Sequence, residues 1–133
     1  MLESGIVKLV MADAGVTAIA SSGGFLLELP KDEALPSWSY RVISDQSEYC
    51  LGGEHGFVTR RLQIDCFANA KADVLRLGRA INKVLSGYRG TLSDPDATVV
   101  FGCFRSDIQD FFDDPGRTPR RMLEYEIQFN EVQ

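Results

Sequence analysis

The sequence predicts a two-layer α+β sandwich, with a mainly antiparallel sheet and with a central amphipathic helix and an N-terminal helix packed on one face. Three observations carry that expectation. Residues 57–68 alternate with period two, placing Val58, Leu62, Ile64, Cys66 and Ala68 on one face and Thr59, Arg61, Gln63 and Asp65 on the other. Residues 69–86 then switch to helical spacing, with Val74, Leu77, Gly78, Ile81, Val84 and Leu85 on one side and Lys71, Asp73, Arg76, Arg79 and Lys83 on the other. Short connections between most of the strands favour antiparallel neighbours.

The remaining elements follow in chain order. Leu2, Ile6, Leu9 and Val10 share a face of a helix that runs to Ala12, and Asp13-Ala14-Gly15 breaks it before a short turn at 16–19. After the Ser21–Gly24 loop, Phe25–Leu29 reads as a short apolar strand ended by Pro30. Pro36 opens a strand in which Trp38, Tyr40 and Val42 share a face. The polar segment 45–56, with Gly52-Gly53, reads as a long connection. Asn69 is placed to cap the central helix and Gly87 to terminate it as the C′ residue. Thr98–Arg105 is apolar on both faces, as central strands are, and the acidic segment 106–119 reads as a loop. Arg120–Glu131 closes with Leu123, Tyr125, Ile127 and Phe129 alternating against Glu124, Glu126, Gln128 and Asn130.

Length and charge narrow the function classes. With 133 residues the chain fits one domain, long enough to bury about two thirds of its unfolded surface. A net charge of −5 argues against phosphate-backbone binding as a main activity. Cys50, Cys66 and Cys103 make an odd count with no C-x-x-C, so neither a disulfide framework nor a zinc knuckle is expected. The start has no basic segment followed by an apolar run, and no stretch reaches the ~18 apolar residues of a membrane helix, so a protein of a reducing cytoplasm is expected.

Catalytic chemistry finds little footing. His55 is the single histidine, and its one conceivable nucleophilic partner is a cysteine. Cys66 and Cys103 stand on apolar strand faces, where thiols are inert. Cys50 shares the glycine-containing segment with His55, and an enzyme using Cys50 or Cys66 with His55 is a competing reading. Asp107, Asp110, Asp113 and Asp114 are the densest carboxylates, but the spacing is not that of an EF-hand, and a solvated acidic segment accounts for them. No catalytic, cofactor or metal residue is expected. A small ligand-binding α+β domain of a bacterial regulator is the second competitor, and it requires a pocket between helix and sheet.

Two features point to protein partners. Phe111-Phe112 places adjacent large apolar side chains in an acidic segment. Arg60-Arg61, Arg117 and Arg120-Arg121 concentrate positive charge in an acidic chain; complementary patches of this kind suit head-to-tail rings, and solvated strand ends are the equal alternative.

Several segments, in this order along nearly the whole chain, resemble the small tail-completion or head–tail joining proteins of long-tailed bacteriophages. They are Ala12-Asp13-Ala14-Gly15-Val16-Thr17-Ala18, Leu35-Pro36-Ser37-Trp38-Ser39-Tyr40-Arg41-Val42, Arg61-Leu62-Gln63-Ile64-Asp65-Cys66-Phe67-Ala68, Gly87-Tyr88-Arg89-Gly90-Thr91 and the terminal strand 121–130. The resemblance implies a single domain over residues 1–133 with a tail-terminator-like fold, assembling as a ring, with sixfold symmetry, at the head-proximal end of the tail. It implies the tail-tube protein and the head connector as partners, DNA passing through without sequence-specific binding, and a location in the virion tail and, during assembly, in the host bacterial cytoplasm. Tyr49, His55, Arg60, Arg61, Phe111, Phe112, Arg117 and Arg120 are the interface candidates.

Overall fold

A computed structural model describes residues 2–27, 29, 34–50, 53–111 and 118–130. Three helices, α1 (Leu2–Met11), α2 (Ala14–Thr17) and α3 (Lys71–Leu85), accompany six strands: β1 (Phe25–Leu26), β2 (Ser37–Cys50), β3 (Gly53–Phe67), β4 (Gly90–Thr91), β5 (Val99–Phe111) and β6 (Arg120–Asn130). The strands form one curled sheet in the order β1-β2-β3-β6-β5-β4. All pairings are antiparallel except β1 with β2.

The centre of the sheet is β3 with β6, whose apolar residues alternate most cleanly. Val58, Leu62, Ile64 and Cys66 of β3 and Leu123, Tyr125, Ile127 and Phe129 of β6 are all buried in one core. Against that face lie Leu77, Ile81 and Leu85 of α3, and α1 adds Leu2, Ile6 and Val10. Burying each such side chain contributes about 1.5–3 kcal/mol, so this stripe dominates stability. Tyr125, buried among them, donates its hydroxyl proton to Asn82 Oδ1 on α3 at 2.9 Å.

The ends of α3 show how local chemistry fixes its position. Asp73 sits in the first turn, where a carboxylate favours the positive end of the helix dipole, and it pairs with Arg76. The expected cap at Asn69 is not used. Ala70 occupies that position without a side-chain hydrogen bond, because the chain spends Ala68 and Asn69 leaving the sheet, with the Ala68 amide donating to the Pro119 carbonyl at 3.4 Å. At the other end Gly87 adopts φ +79°, which a glycine supplies without strain, and its amide donates to Cys103 O at 2.7 Å. That bond ties the helix end to β5.

The sheet departs from the sequence expectations in four places. The segment 45–56 is not a long connection: β2 continues to Cys50 and β3 starts at Gly53, with Asp45 opposite Arg60 and Tyr49 opposite Glu54 in an extended hairpin. Residues 41–45, where the extension begins, are exposed, and the sequence of 45–56 has no apolar alternation to reveal a strand. Residues 106–111 are likewise strand, since β5 runs on against β6 as far as Phe111 opposite Arg120. β5 is not central either. Among the described residues its outer side carries only Gly90–Thr91, and Val99, Phe101 and Phe104 are exposed, so its two-sided apolarity is a surface property. Finally, the strand expected at 25–29 is two residues long, ending at Leu27 in the left-handed region with φ 70°.

Two close contacts hold the periphery. Gly5 of α1 faces Leu92, and a Cβ there would lie 2.8 Å from Leu92 Cβ and 2.9 Å from its Cδ1. The turn after β4 is closed by Asp94, whose carboxylate accepts from the Thr98 amide at 2.8 Å and from the Thr98 hydroxyl at 2.7 Å. Burial pushes that carboxyl up, but the Thr98 hydrogen bonds outweigh it and hold it at about 2.

Two outcomes follow from these contacts. Gly5→Ala gains about 1 kcal/mol of helix propensity and loses about 1–3 kcal/mol to overpacking, so the urea midpoint falls; an unchanged or higher midpoint contradicts the contact. Because the folded carboxyl of Asp94 titrates below its ordinary 3.8, its contribution is complete above that value and fades as pH falls through about 2. The stability gap between wild type and Asp94→Ala therefore closes between about pH 5 and about pH 2, as read by denaturant titration at each pH.

Candidate assembly surfaces

The interface residues expected from the sequence fall into three groups. Tyr49 and His55 lie on the β2–β3 hairpin, where the backbone pairing is described but their side chains lie outside the described residues. Phe112 and Arg117 also lie outside them. Arg60, Arg61, Phe111 and Arg120 are fully placed.

Arg60 is not the exposed arginine expected. It belongs to the buried stripe of β3, where its guanidinium comes out beneath α1 with only 12% of the side chain accessible. Nη1 donates to Glu3 Oε1 at 2.6 Å, while Nε and Nη2 donate to Asp45 Oδ1 and Oδ2 at 3.2 and 3.0 Å. The ring of Phe129 lies 5.0 Å away. Burial lowers the affinity of the guanidinium for its proton, but the hydrogen bonds and charges of Asp45 and Glu3 more than offset this and raise it. Arg60 therefore binds α1 to the hairpin inside the subunit.

Arg61, one residue on, points to the opposite face of the sheet and is 48% exposed. Its Nη2 donates to Glu124 Oε2 at 2.8 Å, and Ser106 Oγ donates to the same oxygen at 3.0 Å, so three strands are linked across that face. Arg120 stacks on Phe111, its cross-strand neighbour, with the guanidinium carbon 4.3 Å from the ring centroid. Phe111 thus stands at the end of β5, partly exposed and not in a loop.

The opposite face also holds a carboxylate that the period-two pattern placed in water. Asp65 is buried, accepting from Gln63 Nε2 at 2.9 Å, with Arg41 at 3.8 Å and Arg120 at 4.0 Å. Its Oδ1 has no hydrogen-bond partner among the described residues. Neither Arg41 nor Asp65 was a candidate, because only the cross-strand register brings Ser39, Asp65 and Met122 side by side.

The side chains of Cys50 and His55 lie outside the described residues, whereas the other chemical candidates are placed. Burial raises the Cys66 thiol above its ordinary range, and pushes the Cys103 thiol up to about 12, so neither is a thiolate near neutral pH. Asp110 is taken by Arg121, at 2.7 and 3.0 Å, and Asp107 by the Ile108 amide and the Gln109 side chain. Among the described residues no three metal-ligating side chains come together. No described helix is long and apolar enough to cross a membrane. A groove of about 730 Å³ opens between α1–α2 and α3, so it lies among the helices and not between helix and sheet.

The family of tail completion protein gp17 matches residues 4–129, nearly the whole chain. The chain belongs to that family. It is thereby a bacteriophage tail-completion protein, structural in kind. A chain from the solved virion of a native gene transfer agent particle is similar in fold, with a TM-score of 0.72 at 14% identity over 97% of this chain and 94% of its own. No match is found among curated proteins.

The two neighbouring arginines separate fold from surface. Arg60→Ala strands Glu3 under α1 and costs about 3 kcal/mol, whereas Arg61→Ala costs less than about 1 kcal/mol in the isolated subunit. Thermal denaturation of both variants checks this; equal losses contradict the assignment.

Proposed function

We propose that this family member completes the phage tail as a ring of identical subunits, with sixfold symmetry, at the head-proximal end of the tail tube. One side of the ring meets the tail-tube protein and the other the head connector. In this reading the subunit is a two-layer body, helices on one face of the sheet, whose work is geometric and not catalytic. It acts in the virion tail and is assembled in the host bacterial cytoplasm. DNA passes through it without sequence-specific contacts, which suits a chain of net charge −5.

The observation that carries this reading beyond family membership is the pair of open sheet edges. From Gly102 to Phe111, β5 pairs with β6 alone among the described strands, and Phe101 and Phe104 beside it are 45% and 53% exposed. At the other end, β2 beyond Tyr40 pairs with β3 alone among the described strands. Long apolar edges are a hazard in a monomer and a natural seat for a neighbour. The two edges differ in sequence and lie at opposite ends of the sheet, so a contact between them is heterologous and propagates around a closed ring.

Native mass spectrometry of the purified chain, alone and mixed with tail tubes, tests the ring. A closed hexamer in either condition is expected; a monomer in both overturns it. Phe111→Ala with Phe112→Ala is expected to leave the fold intact and abolish incorporation into particles, and normal tail joining by that variant removes the end of β5 from the interface.

A further inference from the structure

We propose that the groove between α1–α2 and α3 is a seat for the acidic end of β5, residues 107–111, of a second copy of the chain. The inference rests on the ring reading and adds a second contact to it: the inner part of the β5 edge is left for the β2 edge of the neighbour, while its outer end, 107–111, reaches a groove in the helical layer.

The groove is built for an amphipathic acidic segment. Its floor is apolar, from Leu9, Ile19, Ala80 and Val84, and its rim carries Arg79 and Lys83. Neither cation has an acidic partner among the described residues. Asp13 also borders the groove, but its Oδ2 accepts from the Val16 amide at 3.0 Å as the cap of α2. Arg76 is already paired with Asp73. Two free cations thus flank an apolar trough of about 730 Å³.

Charge is divided sharply between the two halves of the molecule. Residues 1–27 and 70–91, which hold the three helices, carry six Lys/Arg against three Asp/Glu, a net +3. The rest carries eight against sixteen, a net −8, which together give the −5 of the chain. The helical half therefore attracts the sheet half of another copy and repels its own kind.

Within the acidic half, the end of β5 has the matching composition. Residues 106–116 contain four Asp and no Lys or Arg. Asp107 and Asp110 alternate with Ile108 and Phe111, both large, apolar and exposed. Asp110 already engages Arg121, which orders it while part of its carboxylate stays accessible. Groove and strand end are different patches, so each copy offers one and receives the other, as a ring requires.

Charge exchange tests the seat. Arg79→Glu with Lys83→Glu should weaken ring formation at least tenfold at low salt, and Asp107→Lys with Asp110→Lys should do the same. Mixing the two variants should restore mixed assemblies, because each then supplies what the other lacks. As a check independent of charge, mixing Val84→Cys and Ile108→Cys copies, both carrying Cys50→Ser, should give a disulfide-linked dimer that neither forms alone. If wild type forms no ring, alone or on tail tubes, the ring reading falls and the seat with it. If wild type forms rings and the charge-reversed groove does so equally, the seat is overturned and the ring stands. Rings lost in the variants but neither restored by mixing nor cross-linked overturn the end of β5 as occupant.

Discussion

Everything in this subunit hangs on the register of β3 against β6. Eleven residue pairs, from Phe57 opposite Asn130 to Phe67 opposite Arg120, set which side chains face the helices. A slip of one residue would turn Leu62, Ile64 and Cys66 outward and bring Arg61, Gln63 and Asp65 beneath α3. The apolar cost of that exchange fixes the register. It also fixes the polar contacts, since Arg60 reaches Glu3 and Asp45 only because its neighbours in the stripe are buried. Arg61 meets Glu124 for the same reason, on the opposite face.

Polar groups are treated differently on the two sides of the sheet. Toward the helices they are few: Tyr125 donates to Asn82, Arg60 meets both Glu3 and Asp45, and Trp38 Nε1 is buried without a hydrogen-bond partner among the described residues. Away from them they form looser groups, in which Asp65 has two arginines at 3.8 and 4.0 Å and one oxygen without a hydrogen bond among the described residues. A tight bidentate pair would satisfy that carboxylate within the subunit. Loose charge of this kind is costly to leave as it is and inexpensive to rearrange when another surface approaches. The chemistry of the molecule is thereby concentrated in surfaces and not in a pocket.

The elements that bury an apolar face were legible in the sequence: α1, α3, β6 and the half of β3 under the helices. Gly87 was legible too, because a helix end of this kind needs the left-handed region. What was hidden has a common cause. The outer halves of β2, β3 and β5 are paired through their backbones, and the side-chain contacts described there, such as Asp110 with Arg121 and Asp45 with Arg60, are polar, so no apolar alternation marks them and they read as loop. β5 misled in the opposite sense, as Phe101 and Phe104 look like core in one dimension and lie on a rim in three. Of the interface candidates, Arg60 was misplaced because its parity with Leu62 and Ile64 was outweighed by its charge. Asp65 was missed because burial on the opposite face depends on strands distant in sequence.

The position of β6 has a consequence for the order in which the molecule is made. β6 follows all the other described strands in sequence, yet it occupies the middle of the sheet, between β3 and β5. Ile64 waits for Leu123, about sixty residues downstream, before its face of the sheet is complete. Such distant pairing makes folding slow compared with that of a helical bundle. Until β6 arrives, the β2–β3 hairpin and β5 remain two separate pieces without a shared core. A growing chain therefore cannot present both sheet edges at a fixed distance from each other. Only once β6 is in place do the two edges of the sheet stand in a fixed relation to each other.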